Sequence, residues 1–323
     1  MRVLVTGAGG QLGRSLHGIA GELKHSFIFT GLHASEHILP LDITDASAVR
    51  EMVRKYGIDA IVNCAAYTDV EKAEDDIDAA TLLNVDAPGI LADIMKERGG
   101  LLVHISTDYV FGGEKLSSPI NEICRPAPCG VYGLTKLQGE ERVKASGCNY
   151  VILRTSWLYS EFGRNFVKTM LRLTAGKQEI KVVDDQTGTP TYARDLALAI
   201  SAVLDDYSGH VQPDGSYANG GIYNFSKEGE CSRHGGDYPH NGIYNYSDEG
   251  SCTWHGFASL IAEFAGRHDC MITPCSTGEY PAKAKRPAYS VLDKSLFKKT
   301  FGVEIPQWQD SLRECIHRSR SDI

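Results

Sequence analysis

Residues 5–13, which read VTGAGGQLG, decide the fold of this chain, because they join a short apolar run to an amphipathic helix through a glycine-rich turn. The run 2–6 (RVLVT) is apolar and β-branched, as is typical of a strand that is covered on both faces. Leu12, Leu16 and Ile19 then recur at helical spacing. The sequence therefore predicts a buried strand that turns directly into a helix.

The glycines at positions 7, 10 and 13 have the spacing of a dinucleotide-binding turn. The first permits a tight turn, the second a close approach of a pyrophosphate to the backbone, and the third close packing of the helix on the sheet. The N–H groups and the positive dipole at the helix N-terminus would hold the phosphates. A glycine triplet also occurs in plain strand-to-helix turns. Its position after the first strand of an alternating series favours the dinucleotide.

Further apolar runs alternate with segments of helical period along the chain. Strands are predicted at 58–63 (IDAIVN), 101–106 (LLVHIS) and 150–155 (YVILRT), and later helices at 163–175 and 193–204. This alternation predicts the α/β class, as a Rossmann-type doubly wound parallel sheet with a smaller C-terminal substrate-binding lobe. Ligands of such sheets lie at the carboxyl ends of the strands.

The alternation loosens after about residue 157, which suggests two parts. We expect residues 1–156, with returning segments at about 192–254, to form the dinucleotide-binding domain. The substrate-binding lobe would consist of about 157–191 and 255–323.

Composition and charge exclude several classes of protein. The 41 acidic and 33 basic residues give a net charge of −8, without the basic stripe that nucleic acid requires. No apolar stretch approaches the roughly 18 to 20 residues that span a bilayer, and the N-terminal apolar run is too short for a signal peptide. Nine cysteines without a CxxC pair indicate reduced thiols. We expect a cytoplasmic protein that binds neither nucleic acid nor membrane.

Residues 221–232 (GIYNFSKEGECS) and 242–253 (GIYNYSDEGSCT) repeat each other, with eight identical positions in twelve. We interpret residues 221–241 as a duplicated insert. The second copy should form the strand, because Trp254 and a helical stripe follow it directly. Histidines and cysteines surround the repeat, but their spacing fits no zinc pattern, so we expect no metal. They are His210, His234, His240, His255, Cys231 and Cys252.

The residues that would contact the adenosine leave the choice of nicotinamide open. The predicted end of the second strand, 29–31, carries neither an acid for the 2′-hydroxyl of NADH nor an arginine for the 2′-phosphate of NADPH. Asp42 and Ile43 close the third apolar run. Asp42 is a candidate for the adenine amino group or a plain turn aspartate.

Tyr132 and Lys136 are the candidate catalytic pair. On a helix, positions i and i+4 share a face, so a cation would lie beside the phenol and lower its pKa. The same spacing at Tyr223 and Lys227 falls in a predicted strand, which separates the two groups. Ser106-Thr107-Asp108, at the end of a predicted strand, supplies the hydroxyl that completes a hydride-transfer site.

With these residues the chain resembles the extended short-chain dehydrogenase/reductases, and within them the dTDP-4-dehydrorhamnose reductase family. The resemblance covers residues 1 to about 205 and resumes from about 242 to the end. Its markers are VTGAGGQLG (5–13), LDITD (41–45), VNCAAYTDVEKAE (62–74), LNVDAP (83–88), HISTDYVFGG (104–113), YGLTKLQGE (132–140), LRTSWLY (153–159) and DDQTGTPTYARDLA (184–197).

The resemblance implies NAD(P)H-dependent reduction of the C4 keto group of dTDP-4-dehydro-6-deoxy-L-mannose to dTDP-L-rhamnose, for cell-surface polysaccharide. It makes Tyr132 the proton donor, Lys136 the holder of the nicotinamide ribose and Thr107 a hydrogen-bond donor to the keto oxygen. The residues it assigns to the cofactor are Gly7, Gly10, Gln11, Leu12, Gly13, Asp42, Ile43, Ala65, Ala66, Tyr67 and Lys136. Those it assigns to the dTDP-sugar are Asp108, Tyr109 and Trp157 and, with a structural role equally open, Asn165, Gln186, Thr191 and Arg286.

Other functions stay open on the same fold. Related dehydratases carry acids directly after the strand-end Thr-Asp pair, whereas Tyr109 stands here and favours simple reduction. A non-catalytic regulatory subunit, or a reductase or epimerase of another 4-keto sugar nucleotide, are the alternatives. The family also implies a homodimer and Mg²⁺ for some members, but we find no matching acids, so the sequence does not support Mg²⁺.

Overall fold

The computed structural model describes residues 1–113, 116–211, 238–280 and 282–321, and is built on a seven-stranded parallel sheet. In these ranges the strands are β1 (Arg2–Thr6), β2 (Ser26–Gly31), β3 (Leu39–Pro40), β4 (Ala60–Asn63), β5 (Leu101–Thr107), β6 (Asn149–Thr155), β7 (Leu158–Tyr159), β8 (Glu179–Val183), β9 (Thr187–Gly188), β10 (Thr191–Tyr192), β11 (Gly242–Asn245), β12 (Cys252–Thr253) and β13 (Met271–Cys275).

Helices connect these strands and cover the sheet. The described α-helices are α1 (Gln11–Ile19), α2 (Ala46–Tyr56), α3 (Val70–Ala73), α4 (Ile77–Thr81), α5 (Ala87–Arg98), α6 (Val131–Ser146), α7 (Phe166–Gly176), α8 (Ala193–His210), α9 (Trp254–Phe264), α10 (Ser295–Phe301) and α11 (Trp308–Ser321). A π-helical stretch covers Leu82–Asp86, and short 3₁₀ turns cover Ala20–Glu22, Asp108–Phe111 and Thr277–Glu279.

The sheet has the order β11-β6-β5-β4-β1-β2-β3, with every neighbouring pair parallel. One buried cluster packs α1 and α8 against the sheet, and another packs α2 and α5 against it. Both faces are therefore covered, which explains why the strands carry nearly continuous apolar runs. This is the predicted doubly wound sheet.

A separate apolar cluster holds the smaller lobe together, with Val167 of α7, Ile180 of β8, Phe257 of α9 and Leu312 of α11. The position of helix α10 differs from the division expected from the sequence, which placed residues 255–323 in the smaller lobe. Its Phe297 is fully buried in the cluster of the main sheet, because an aromatic face of α10 packs onto β11. The described residues include no helix that is long and apolar enough to cross a membrane.

The second copy of the repeat supplies the edge strand, as predicted. In β11, Gly242 lies opposite Val151 and Asn245 opposite Arg154 of β6. The first copy, 221–232, lies outside the described residues. Tyr238, which precedes the second copy, is buried against the sheet, and its N–H donates to the Asn149 side chain over 3.1 Å.

Candidate active site

The glycine-rich turn is packed so closely that a side chain at Gly7 or Gly13 would clash with neighbouring backbone atoms. Gly7 has a φ of +63°, and a Cβ there would lie 2.6 Å from the backbone nitrogen of Ala65. A Cβ on Gly13 would lie 2.5 Å from Cα of Ala8. The turn therefore packs backbone against backbone and opens the N-terminus of α1 at the carboxyl end of β1. This cradle fits a dinucleotide pyrophosphate.

Gln11, the first residue of α1, ties this turn to the smaller lobe. Its Oε1 accepts hydrogen bonds from Ser160 Oγ (3.0 Å) and Asn165 Nδ2 (2.9 Å). Asn165 also caps α7, because its Oδ1 accepts from the N–H of Lys168 over 3.0 Å. The polar atoms of Asn165 are thus used within the protein, so its contacts favour the structural alternative over a substrate contact.

The loop after β4 is held next to α6 by Asn84, which the sequence did not single out. Asn84 is fully buried in the π-helical stretch, and its Oδ1 accepts from the Tyr67 N–H over 2.9 Å. Its Nδ2 donates to the Tyr67 carbonyl and to Thr135 Oγ1, each over 3.1 Å. This clamp sets the path of Ala65, Ala66 and Tyr67.

Asp42 lies directly after β3, at the edge of the sheet where β1 and β2 also end. Its Oδ1 accepts from Thr44 N (2.9 Å) and Thr44 Oγ1 (2.7 Å), and these bonds lower the pKa of the carboxyl. Asp42 is exposed, whereas Ile43 is buried. The Thr44 bonds are those of a turn aspartate, and Asp42 Oδ2 has no hydrogen bond to a described residue, so both predicted roles remain compatible with its position.

Thr107, Tyr132 and Lys136 meet where β5 ends and α6 begins. The Thr107 hydroxyl accepts from the N–H of Tyr109 and donates to Asp108 Oδ1, each over 3.2 Å. Burial raises the pKa of Tyr132 to about 12, and the neighbouring Thr107 hydroxyl opposes the rise. The phenol is therefore protonated at neutral pH.

The Lys136 ammonium points away from that phenol. Lys136 is 2% exposed, and its Nζ donates to the Ile105 carbonyl over 2.6 Å and lies 3.3 Å from His104 Nε2. Burial lowers the pKa of Lys136 to about 8, while the charge of Glu140 opposes the fall. The sequence predicted that this cation would lower the pKa of the Tyr132 phenol. The pKa of the phenol is raised instead, because the phenol is buried and the Lys136 Nζ is bound to β5.

His104 and Asn63 form a buried network behind Lys136 that sequence reasoning missed. Asn63 Oδ1 accepts from Thr6 Oγ1 (2.6 Å) and from the Ala65 N–H (3.2 Å). The Asn63 amide nitrogen must then face His104 Nδ1, at 3.1 Å. Burial and the Lys136 charge hold the pKa of His104 well below its usual range, so the ring is neutral. In the sequence, the one available signal for this network was a histidine inside an otherwise apolar strand.

A buried ion pair fixes the base of α6. Glu140 accepts from Arg154 Nε over 2.9 Å and from Arg154 Nη2 over 2.6 Å, and neither residue is more than 2% exposed. Ser106 Oγ donates to the same carboxylate over 2.5 Å. The pair joins β5, β6 and α6 beneath Lys136. In the sequence, the only indication of this ion pair was that Glu140 follows Lys136 by four residues.

Asp108 and Tyr109 lie next to the Tyr132 side chain, whereas Trp157 packs on the apolar cluster of the smaller lobe. Burial raises the pKa of Asp108 to about 6, opposed by hydrogen bonds from Ser290 and Thr107. The Tyr109 ring packs edge-on against Tyr132 at 5.4 Å. Trp157 has a φ of 46° and stacks on Trp254, with ring centroids 3.5 Å apart.

The remaining predicted substrate residues differ in access. Thr191 is fully buried and its Oγ1 accepts from Thr155, so its surroundings favour a structural role. Gln186 is 4% exposed and donates to Thr277 Oγ1 over 2.9 Å. Arg286 donates to Glu71 over 2.9 Å, but its side chain is 30% exposed and its charge acts on Tyr109. Of these three, Arg286 is placed best for an anionic ligand.

Several known proteins are similar to this chain in sequence and in fold. The model of the RmlD substrate binding domain family matches residues 1–236 and 236–321. The dTDP-4-dehydrorhamnose reductase of Burkholderia thailandensis is 36% identical over 321 residues, which is 98% of each chain. Spore coat polysaccharide biosynthesis protein SpsK of Bacillus subtilis is 36% identical over 99% of this chain and 98% of its own. The crystal structure of dTDP-4-dehydrorhamnose reductase from Bacillus anthracis in complex with NADP is 33% identical, with a TM-score of 0.80 over 98% of this chain and 99% of that chain.

Proposed function

Because this chain belongs to the RmlD substrate binding domain family, that of the dTDP-4-dehydrorhamnose reductases, we propose that Thr107, Tyr132 and Lys136 carry out its reaction. The enzyme reduces the C4 keto group of dTDP-4-dehydro-6-deoxy-L-mannose to dTDP-L-rhamnose, for cell-surface polysaccharide. Its cofactor is NADPH or NADH. The observation that carries the residue assignment is that Thr107 and Tyr132 lie together where β5 ends, with Lys136 buried one helical turn from Tyr132.

We assign the dinucleotide to the carboxyl edge of β1, β3 and β4. Gly7, Gly10 and Gly13 give its phosphates access to the backbone, with Gln11 and Leu12 at the helix N-terminus. The Asp42-Ile43 turn and the loop of Ala65, Ala66 and Tyr67 complete the cradle, and Lys136 takes the nicotinamide ribose. When bound, the nicotinamide supplies the hydride that the keto carbon receives.

Tyr132 supplies the proton in this proposal. Its pKa of about 12 keeps the phenol protonated while the keto oxygen is still neutral. The proton passes to that oxygen as reduction places negative charge on it, which is general acid catalysis and yields the alcohol. The Thr107 hydroxyl, which now donates to Asp108, would turn to donate to the same oxygen. The Lys136 ammonium is held by the Ile105 carbonyl, so this proposal gives it the nicotinamide ribose and not the phenol.

The deoxysugar would lie between the phenol and the two stacked indoles of Trp157 and Trp254. Asp108 Oδ2 is buried and makes no hydrogen bond of good geometry to the described residues, so it can accept from a sugar hydroxyl. Burial and the charge of Asp108 raise the pKa of Tyr109, which therefore cannot abstract a proton as a carboxylate would. This favours reduction over dehydration. The exposed face of Arg286 suits the diphosphate.

We place the reaction in the cytoplasm, with a nucleotide sugar as the small-molecule partner. The test is an assay in which purified protein, NADPH and the dTDP-4-keto-6-deoxy sugar are mixed and the near-ultraviolet absorbance of the cofactor is followed. We expect turnover, and the same assay with NADH determines the preferred nicotinamide. A folded protein without turnover would favour a non-catalytic binding subunit. Faster turnover of a differently configured 4-keto sugar nucleotide would favour the other reductase.

Tyr132→Phe tests the assignment of the proton donor. We expect kcat to fall at least about a hundredfold, since a general acid contributes that much or more. The dissociation constant of NADPH, measured by fluorescence, should stay unchanged. Tyr56→Phe, in α2 on another part of the surface, is the matched control and should keep full activity. A wild-type rate for Tyr132→Phe would refute the assignment.

A further inference from the structure

We propose that Asp206, His210 and His240 form a binding site for a divalent metal ion of the zinc type. Asp206 and His210 lie one turn apart on α8, and His210 is the last residue of that helix. His240 lies two residues before β11. One ligand atom from each of the three side chains lies within 4.8 Å of the other two. The two imidazole rings are 5.2 Å apart and nearly perpendicular.

One nitrogen of each ring already faces the Asp206 carboxylate. Asp206 Oδ2 lies 2.8 Å from His240 Nδ1 and 3.6 Å from His210 Nδ1. His210 Nδ1 also lies 2.8 Å from the Asp206 carbonyl oxygen. The donor atoms that a shared ion would use are therefore Nδ1 of both histidines and Oδ2 of Asp206.

The Asp206 carboxylate supplies the negative charge of the cluster. Its Oδ2 accepts hydrogen bonds from the Tyr238 hydroxyl and from His240 Nδ1. The Tyr238 ring packs edge-on against both histidines, at 5.8 and 5.7 Å. A carboxylate beside two imidazole nitrogens is a donor set that a divalent cation binds. All three side chains are only partly buried, so an ion can reach them.

The donor set selects the class of metal. Two nitrogens and one oxygen suit Zn²⁺, Co²⁺, Ni²⁺ or Cu²⁺, whereas Mg²⁺ and Ca²⁺ prefer oxygen ligands alone. Tetrahedral zinc with ligands at about 2.0–2.2 Å needs donor atoms roughly 3.3 Å apart. Asp206 Oδ2 lies 2.8 and 3.6 Å from the two Nδ1 atoms, on either side of that value. Water would take the fourth position.

The position of the cluster indicates that a bound ion would stabilise the fold and would take no part in the reaction. Tyr238 hydrogen-bonds Asn149, the first residue of β6, whereas Thr107 lies opposite Thr155, the last residue of that strand. Seven strand residues span about 20 Å. The ion would fasten the end of α8 to the segment that enters the edge strand, and the catalytic groups would lie at the other end of the sheet.

Calorimetric titration of the untagged, EDTA-treated full chain with ZnCl2 tests the proposal. We expect one zinc per chain, a rise in Tm on zinc addition and no response to MgCl2 at the same concentration. His210→Ala, His240→Ala and Asp206→Asn should each weaken zinc binding at least about tenfold. His37→Ala is the control, because His37 and its stacked neighbour His17 form an exposed histidine pair elsewhere. It should bind zinc as the wild type does.

The Co²⁺ complex supplies a readout that does not depend on the stability of the variants. Two histidines and a carboxylate should give tetrahedral Co²⁺ with visible absorption, which His240→Asn should abolish while keeping a side chain that can bond Asp206. Turnover of the nucleotide sugar should be the same with and without zinc. Binding of less than one equivalent, or wild-type zinc affinity in both His210→Ala and His240→Ala, would overturn the proposal.

Discussion

Replacing Lys136 by methionine should make the free protein more stable at neutral pH, although it removes a catalytic group. The pKa of Lys136 is 10.5 in an unperturbed chain and about 8 in the fold. This difference corresponds to about 3 kcal/mol that folding loses by burying the ammonium. Methionine occupies a similar volume without charge, and it forgoes the hydrogen bond to Ile105, which is worth about 1.5–3 kcal/mol for a charged donor. We therefore expect a small net gain, on the order of 1 kcal/mol, at pH 7.

The pH dependence separates this cause from a packing effect. Because the folded pKa is lower than the unfolded one, the unfolded chain holds more protons between pH 8 and 10.5. The wild type therefore gains stability as pH rises through that window, and the advantage of Lys136→Met shrinks and then reverses.

Urea unfolding at pH 7, 8, 9 and 10, without cofactor, measures both terms. Lys144→Met is the matched control, because Lys144 lies on the same helix with a more exposed side chain that pairs with Glu141. Its difference from the wild type should not vary with pH in this window. The reasoning would be refuted if Lys136→Met differed from the wild type by the same free energy of unfolding at pH 7 and pH 10.

Two further substitutions test the frame around the site. Glu140→Gln removes the charge that pairs with buried Arg154, and we expect a loss of about 3–5 kcal/mol in the free energy of unfolding, measured with urea. A loss below about 1 kcal/mol would mean that the pair is solvated. Gly139→Ala places a Cβ against the Asn84 carbonyl oxygen, so α6 must shift, and we expect about 1–3 kcal/mol of destabilisation by the same assay. Gly18→Ala, with no atom within 4 Å, is the control and should be neutral or slightly stabilising, and equal effects of the two changes would contradict the packing argument.

The parts of the fold that the sequence predicted correctly depend on local pattern. Strand β1 ends at Thr6, as the glycine turn indicated, and the predicted strand 101–106 extends by only one residue to Thr107. Tyr132 and Lys136 lie one turn apart on one helix. The alternation of short apolar runs and helices was sufficient for a parallel sheet, because a helix between two strands lets the chain return to the same end of the sheet. The proposal of Thr107, Tyr132 and Lys136 as catalytic residues rests on a strand end and a helical spacing.

The groups behind the trio could not be predicted, because they meet across strands. Asn63 faces His104 only because β4 and β5 pair in the register that places these two residues opposite each other. Glu140 meets Arg154 through the packing of α6 on β6. Neither the register of two strands nor the packing of a helix on a sheet can be predicted from a local period in the sequence. The same holds for the proposed metal site, because spacing along the sequence points to His210 and His240 but not to Asp206.

The position of the repeat explains how a duplication can enter this enzyme without touching its chemistry. Strand β11 lies at the edge of the sheet and pairs only with β6 among the described strands. An inserted copy at an edge therefore breaks no ladder between other strands, whereas a copy between β4 and β5 would separate Asn63 from His104. Both copies begin with Gly-Ile-Tyr-Asn, and in the described residues the second copy pairs with β6. The second copy has the advantage that Thr253 caps α9 directly after it, and this short connection keeps Trp254 against Trp157 in the substrate lobe.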